Sequence, residues 1–75
     1  MLLLTIAHRG EAQEFLNRTF TQAVDFHFPG VYRDGDQLLL LTGEGIEQAI
    51  LRISSVLTYF GSKIDRVLNM GIAGA

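Results

Sequence analysis

Three short turns hold the residues best suited to chemistry. They are Ala7-His8-Arg9-Gly10-Glu11, Thr42-Gly43-Glu44-Gly45 and Asn69-Met70-Gly71-Ile72-Ala73-Gly74-Ala75. Each follows an apolar run that reads as a strand, so each is expected at the carboxyl end of that strand. Ligands of open α/β sheets bind at that edge. Glycine lets backbone amides approach a bound group closely. The first two turns also feed expected helices, whose N-termini favour anions or hydroxyl-rich groups. Glu11 and Glu44 place a carboxylate in each of the first two turns. A plainer role stands beside each of these. Glu11 suits a helix start through the macrodipole alone, His8 suits a loop, and Glu44 suits a solvated turn. Arg9 could meet an anion such as phosphate or simply sit at the surface.

Several other chemistries are excluded. The third glycine of a dinucleotide fingerprint is missing after Gly43 and Gly45, because Gln48 occupies that position. No Gly-Lys-Ser/Thr follows either turn, and no Gly-x-Ser-x-Gly elbow is present. His8 and His27 have no metal-ligand spacing with any carboxylate. No cysteine occurs, which removes disulfides, thiolate metal sites and thiol nucleophiles together. Its absence fits a cytoplasmic protein. No cofactor and no metal are therefore expected. The net charge of −2 gives no basic field, so nucleic acid is not an expected partner.

The elements that must position these turns follow from apolar patterning. With 48% hydrophobic residues the chain can build a core, though 75 residues bury only about 60% of their extended surface. Leu2 to Ala7 reads as a strand covered on both faces. It ends too soon for a signal peptide or a membrane span. Glu11 to about Phe20 is expected to be a helix, with Ala12, Phe15, Leu16 and Phe20 on one face. Val24 to Phe28 alternates and reads as a strand, bent or ended by Pro29-Gly30. Val31-Tyr32-Arg33 continues beyond that bend. Asp34-Gly35 then signals a hairpin turn into Gln37–Thr42. The four leucines there favour helix by propensity, but their length and flanking glycines favour a buried strand. Ile46, Ala49, Ile50, Ile53, Leu57 and Phe60 make a helical stripe, capped by Gly61. Arg66 to Met70 is expected as a last buried strand. The whole is α/β with a mixed β-sheet and flanking helices. Its open edge and uncovered apolar face are expected to draw in a partner strand or a second copy.

Taken in order, Ala7-His8-Arg9-Gly10-Glu11-Ala12, Leu41-Thr42-Gly43-Glu44-Gly45-Ile46 and Leu68-Asn69-Met70-Gly71-Ile72-Ala73-Gly74 resemble the purine nucleoside phosphorylase/uridine phosphorylase superfamily. The likeness is greatest to its nucleosidase branch, which hydrolyses methylthioadenosine and adenosylhomocysteine. It covers nearly all of residues 1–75 but only the amino-terminal third or so of a typical member. The resemblance therefore implies a single partial domain, the front of a phosphorylase/hydrolase-like fold, and no complete activity in these residues alone.

What the resemblance implies is cleavage of an N-glycosidic bond in a purine nucleoside. The position of Glu11 orients the attacking water and senses the sugar hydroxyls. The positions of Ile72, Ala73 and Gly74 line the base and ribose. Glu44 stands where an apolar residue borders the 5′ substituent, and His8 lies near that same end. Two departures bear on the substrate. Glu44 is charged where an alkylthio tail meets an apolar wall, and Ile72 replaces a small Ser or Thr. The Asp that assists base protonation and the Met-Glu segment that grips the ribose belong to later parts of the family's chains. Three functions stay open: a nucleosidase, a phosphorolytic relative, and a non-catalytic nucleoside-binding or assembly module. Glu11 favours water, since a carboxylate repels an anionic nucleophile. The expected partners are a small-molecule nucleoside and further copies of the chain, with no membrane.

Overall fold

The computed structural model describes residues 1–7, 10, 13, 20, 22–43 and 45–69. Along the chain come β1 (Leu2–Ile6), β2 (Gln22–Ala23), β3 (Val31–Asp34), β4 (Gln37–Leu41), helix α1 (Ile46–Phe60), a 3-10 turn (Gly61–Lys63) and β5 (Arg66–Asn69). The strands form one sheet in the order β2-β3-β4-β1-β5. β1 runs parallel to β4 on one side and to β5 on the other. β2, β3 and β4 pair antiparallel. The architecture is α/β with a mixed sheet, as the patterning requires.

The centre of the sheet explains the two leucine-rich runs. In β4, Leu39 and Leu41 face one side with Leu4, Ile6 and Phe20. Leu38 and Leu40 face the other with Leu3, Val31 and Val56. Burying one leucine is worth about 1.5–3 kcal/mol, which outweighs the few tenths by which leucine prefers helix. Only a strand flanked on both sides and covered on both faces buries four consecutive leucines. α1 covers the second face through Val56, Ile53 and Phe60. The helix expected over residues 11–20 lies mostly outside the described residues. Within it, Gln13 is helical, as is Gly10 just before it, and Phe20 is buried.

Four local expectations are corrected. Val24–Phe28 is not a strand: β2 ends at Ala23, with one further backbone bond from the Val24 N–H to the Val31 carbonyl at 2.8 Å. Its alternation is real, with Val24, Phe26 and Phe28 turned inward and Asp25 and His27 outward. These inward side chains pack on the core between the sheet and α1. The Phe26 ring meets Tyr59 edge-on at 5.1 Å and Phe28 edge-on at 4.9 Å. The hairpin turn is Gly35-Asp36, one residue later than Asp34-Gly35, since Asp34 still pairs with Gln37. Positive φ occurs at Gly35 alone (57°), the sign pattern of a II′ turn with glycine first. β5 is exposed along its length, because it forms the edge of the sheet beside β1. Finally, the apolar stripe of α1 is only partly covered. Ile46 (77% exposed), Ile50 (58%) and Leu57 lie to one side of the buried seam. Gly61 does cap α1, its N–H bonding the Leu57 carbonyl.

Candidate carboxyl-edge site

Three parallel strands, β4, β1 and β5, lie side by side with their carboxyl ends level. Ile6 pairs with Leu41, and Thr5 pairs with both Leu40 and Asn69. Adjacent strands are separated by ~4.8 Å, so the three exits span ~10 Å. The pairing between β1 and β4 continues beyond the strands. The Thr42 N–H donates to the Ile6 carbonyl at 2.9 Å, and the Gly43 N–H donates to the Ala7 carbonyl at 3.2 Å. The first two turns therefore leave the sheet side by side, and the third leaves one strand further along.

Polar side chains enter the core at this rim. Thr5 and Thr42 are the buried polar residues among those described. The Thr42 hydroxyl bonds the carbonyls of Gly43 (3.2 Å) and Ile6 (3.5 Å). The Thr5 hydroxyl donates to Asn69 Oδ1 across the β1–β5 pair at 2.9 Å. Among the described residues, no buried side-chain polar atom is left without a partner.

Gly43 shapes the second turn. Its φ of +83° is a conformation that L side chains rarely adopt, and a Cβ there would sit 2.9 Å from Gln48 Oε1. The turn then delivers Gly45 to the N-cap of α1, with extended backbone and no side-chain cap. Unlike Gly43, Gly45 has ordinary φ and open space around a built Cβ. A serine or aspartate would fit there and cap the helix. Gly45 itself supplies no such cap at the rim. Arg52 braces the same edge from α1. Its guanidinium bonds the carbonyls of Leu41 (3.1 Å) and Pro29 (3.4 Å) and lies 5.0 Å from the centre of the Phe28 ring.

The residues singled out from the sequence, His8, Glu11, Glu44, Ile72, Ala73 and Gly74, all lie outside the described residues. What the structure describes is where their segments attach: Ala7 after β1, Gly43 and Gly45 after β4, and Asn69 at the end of β5. These attachment points share one sheet edge. The Thr5–Asn69 bond was not foreseen. Its signal was a hydroxyl inside an apolar run, with an amide at the directly paired position of another strand.

An open groove of about 360 Å³ is lined by His27, Leu51, Ser54, Ser55, Thr58 and Tyr59. It holds no carboxylate, lysine or arginine and includes none of the rim residues. Among the described residues no cluster of His, Asp and Glu could hold a metal ion, and no helix is long and apolar enough to cross a membrane.

No protein-family model, curated protein or solved structure matches the chain. The functional reading therefore rests on the rim geometry and on the residues of the three turns.

Proposed function

We infer that the chain supplies part of a nucleosidase-like site that cleaves the N-glycosidic bond of a purine nucleoside. The single observation that carries this is the level, adjacent, parallel arrangement of β4, β1 and β5. The three motif-bearing turns start from one edge of one sheet, as a shared pocket requires. Glu11 takes the role of the water-side carboxylate. Ile72, Ala73 and Gly74 form the wall against base and ribose, with His8 and Glu44 toward the 5′ end. A charged Glu44 favours a polar 5′ group over an alkylthio tail. The compartment is the cytoplasm, consistent with a chain that carries no cysteine.

The bond from C1′ to the base nitrogen breaks, and its electron pair leaves with the purine. Water bonds to C1′ as positive charge develops on the ribose, and Glu11 accepts the proton that this water releases. The departing base gains a proton from an acid that we assign to no residue of this chain. These 75 residues thus account for the water side and part of the pocket wall.

A titration of adenosine and adenine against the chain tests the inference, with free base followed by chromatography. Sub-millimolar binding that shifts the amides of Ala7, Thr42, Gly43 and Asn69 supports it. Binding confined to the His27–Tyr59 groove, or none, refutes it. Binding at the rim without base release favours a second reading, a nucleoside-binding assembly module. The uncovered strip of α1 and the open β5 edge are the observations on its side.

A further inference from the structure

Thr5 is the one polar side chain in β1, and it is 2% exposed. A buried hydroxyl left without a partner is costly, of the order of a few kcal/mol. It therefore has to be satisfied by whatever the sheet places beside it. The register places Asn69 directly opposite on β5. Thr5 Oγ1 donates to Asn69 Oδ1 at 2.9 Å.

In this structure the hydroxyl donates, which places Oδ1 toward Thr5. A primary amide has one oxygen acceptor and an NH2 with two donor hydrogens. With Oδ1 drawn to Thr5, the NH2 is directed away from Thr5. Asn69 is itself exposed, on an edge strand, at the last residue before the third turn. The side of the sheet is also determined. Thr5 shares a face with Leu3, which packs under α1. The amide hydrogens are thus offered at the carboxyl rim, on the face that α1 covers.

We propose that Asn69 is a ligand-binding residue and Thr5 its positioning residue. Held by Thr5, the Asn69 NH2 donates to an acceptor on the bound nucleoside, a purine ring nitrogen or a sugar oxygen. The identity of the ligand rests on the function inferred above; the orientation of the amide does not. An acceptor-only group at this position cannot serve. Asn69→Asp keeps the shape and still accepts from Thr5, but it replaces both donors with a second acceptor oxygen.

Nitrogen-15 NMR of the whole chain separates the two parts. The Asn69 NH2 pair is assigned by its disappearance in Asn69→Asp. Without ligand, Thr5→Val should move this pair toward the position of a free amide, while Thr5→Ser leaves it in place. A pair indifferent to Thr5→Val overturns the positioning role whatever the ligand is. Adenosine should then shift the NH2 pair together with the Thr42 and Gly43 amides. Asn69→Asp should weaken adenosine binding about tenfold or more, the loss of one good hydrogen bond. Thr5→Val should weaken it ~3-fold or more, with recovery in Thr5→Ser, while the backbone spectrum of each variant stays native. Adenosine that shifts the rim amides but leaves the NH2 pair still, or binds Asn69→Asp equally well, overturns this proposal alone. Adenosine that fails to bind the unaltered chain overturns the functional inference, and the ligand role of Asn69 with it.

Discussion

Gly43→Ala gives the sharpest test of the rim geometry, because two separable costs meet at one atom. The first is backbone. At φ +83° an L-residue incurs roughly 1–2 kcal/mol that glycine does not. The second is contact. The new Cβ would lie 2.9 Å from Gln48 Oε1, closer than real Cβ atoms approach. That oxygen is the far end of a flexible, exposed side chain on α1. Moving it to another staggered rotamer costs less than the ~0.5–1.5 kcal/mol of an off-rotamer side chain. The backbone term should therefore dominate. A domain of this length has a total stability of ~4–11 kcal/mol, so the loss is a large share of it. With a urea m-value near ~1 kcal/mol/M the midpoint should fall by about 1–2 M. The melting temperature should fall by roughly 5–15 °C. The control is a double-mutant cycle with Gln48→Ala. If the conformational cost dominates, Gln48→Ala restores less than ~0.5 kcal/mol. Full rescue by Gln48→Ala would refute the assignment, showing that crowding rather than φ makes Gly43 necessary. A Gly43→Ala variant as stable as the parent would remove the left-handed turn altogether.

Gly45→Ser should act in the opposite direction, stabilising the chain by about 0.5–1 kcal/mol through a new N-cap and a stiffer unfolded chain. In the same variant adenosine affinity should drop, which calorimetry reads alongside the melting curve. Arg52→Met keeps the apolar stem but loses the bonds to the Leu41 and Pro29 carbonyls and the contact with Phe28. It should cost about 1–2 kcal/mol in chemical denaturation, and an unchanged midpoint would dismiss the brace. Ile46, Ile50, Ile53 and Leu57 follow the 4-3-4 spacing of a helix–helix seam, so self-association along α1 is expected. Ile50→Lys should shift sedimentation toward monomer, and identical profiles would exclude this strip as the contact. Asp65 has its pKa lowered from 3.8 by its hydrogen bond to the Met1 ammonium (3.1 Å) and by the charge of that ammonium. A carboxyl depressed on folding stabilises above its unfolded value and loses that contribution as pH falls through the folded one. The acid limb of the stability curve should flatten in Asp65→Asn, and a superimposable limb would discount the pair.

Much of the fold is legible in the chain because its strongest signals are local. The span of α1 follows from apolar spacing and Gly61, and the β4 strand follows from four leucines between turn residues. The misreadings arise where tertiary contacts decide. Val24–Phe28 alternates as a strand would, yet its two phenylalanines gain more from Tyr59, Phe60 and each other than from another edge of backbone pairing. Val67 and Leu68 read as core residues but stand about half exposed, since hydrophobicity alone does not reveal which strand forms the edge. The rim was legible only as three turns. Its Thr5–Asn69 bond joins residues 64 positions apart, and no local pattern carries that pairing.

The two ends of the parallel strands are built to different standards, and the difference bears on function. At the amino end the chain is closed off. The Met1 ammonium meets Asp65 at 3.1 Å and Asp36 at 3.8 Å, and the Asp65 N–H bonds the Met1 carbonyl. The II′ turn at Gly35-Asp36 and the Gly61 cap, whose N–H bonds the Leu57 carbonyl, lie at the same end. At the carboxyl end the same chain has a left-handed turn that only glycine adopts without cost at Gly43, a helix N-cap at Gly45 that supplies no side-chain cap, and hydroxyls sunk in a leucine core at Thr5 and Thr42. A chain selected for stability alone has easy improvements at that end, with Gly45 the plainest, since nothing around it opposes a side chain. Departures from local preference collect where a ligand must be admitted. Gly43, Gly45, Thr5 and Thr42 all lie at the one edge from which the three motif-bearing turns start, which is the placement the proposed binding rim calls for.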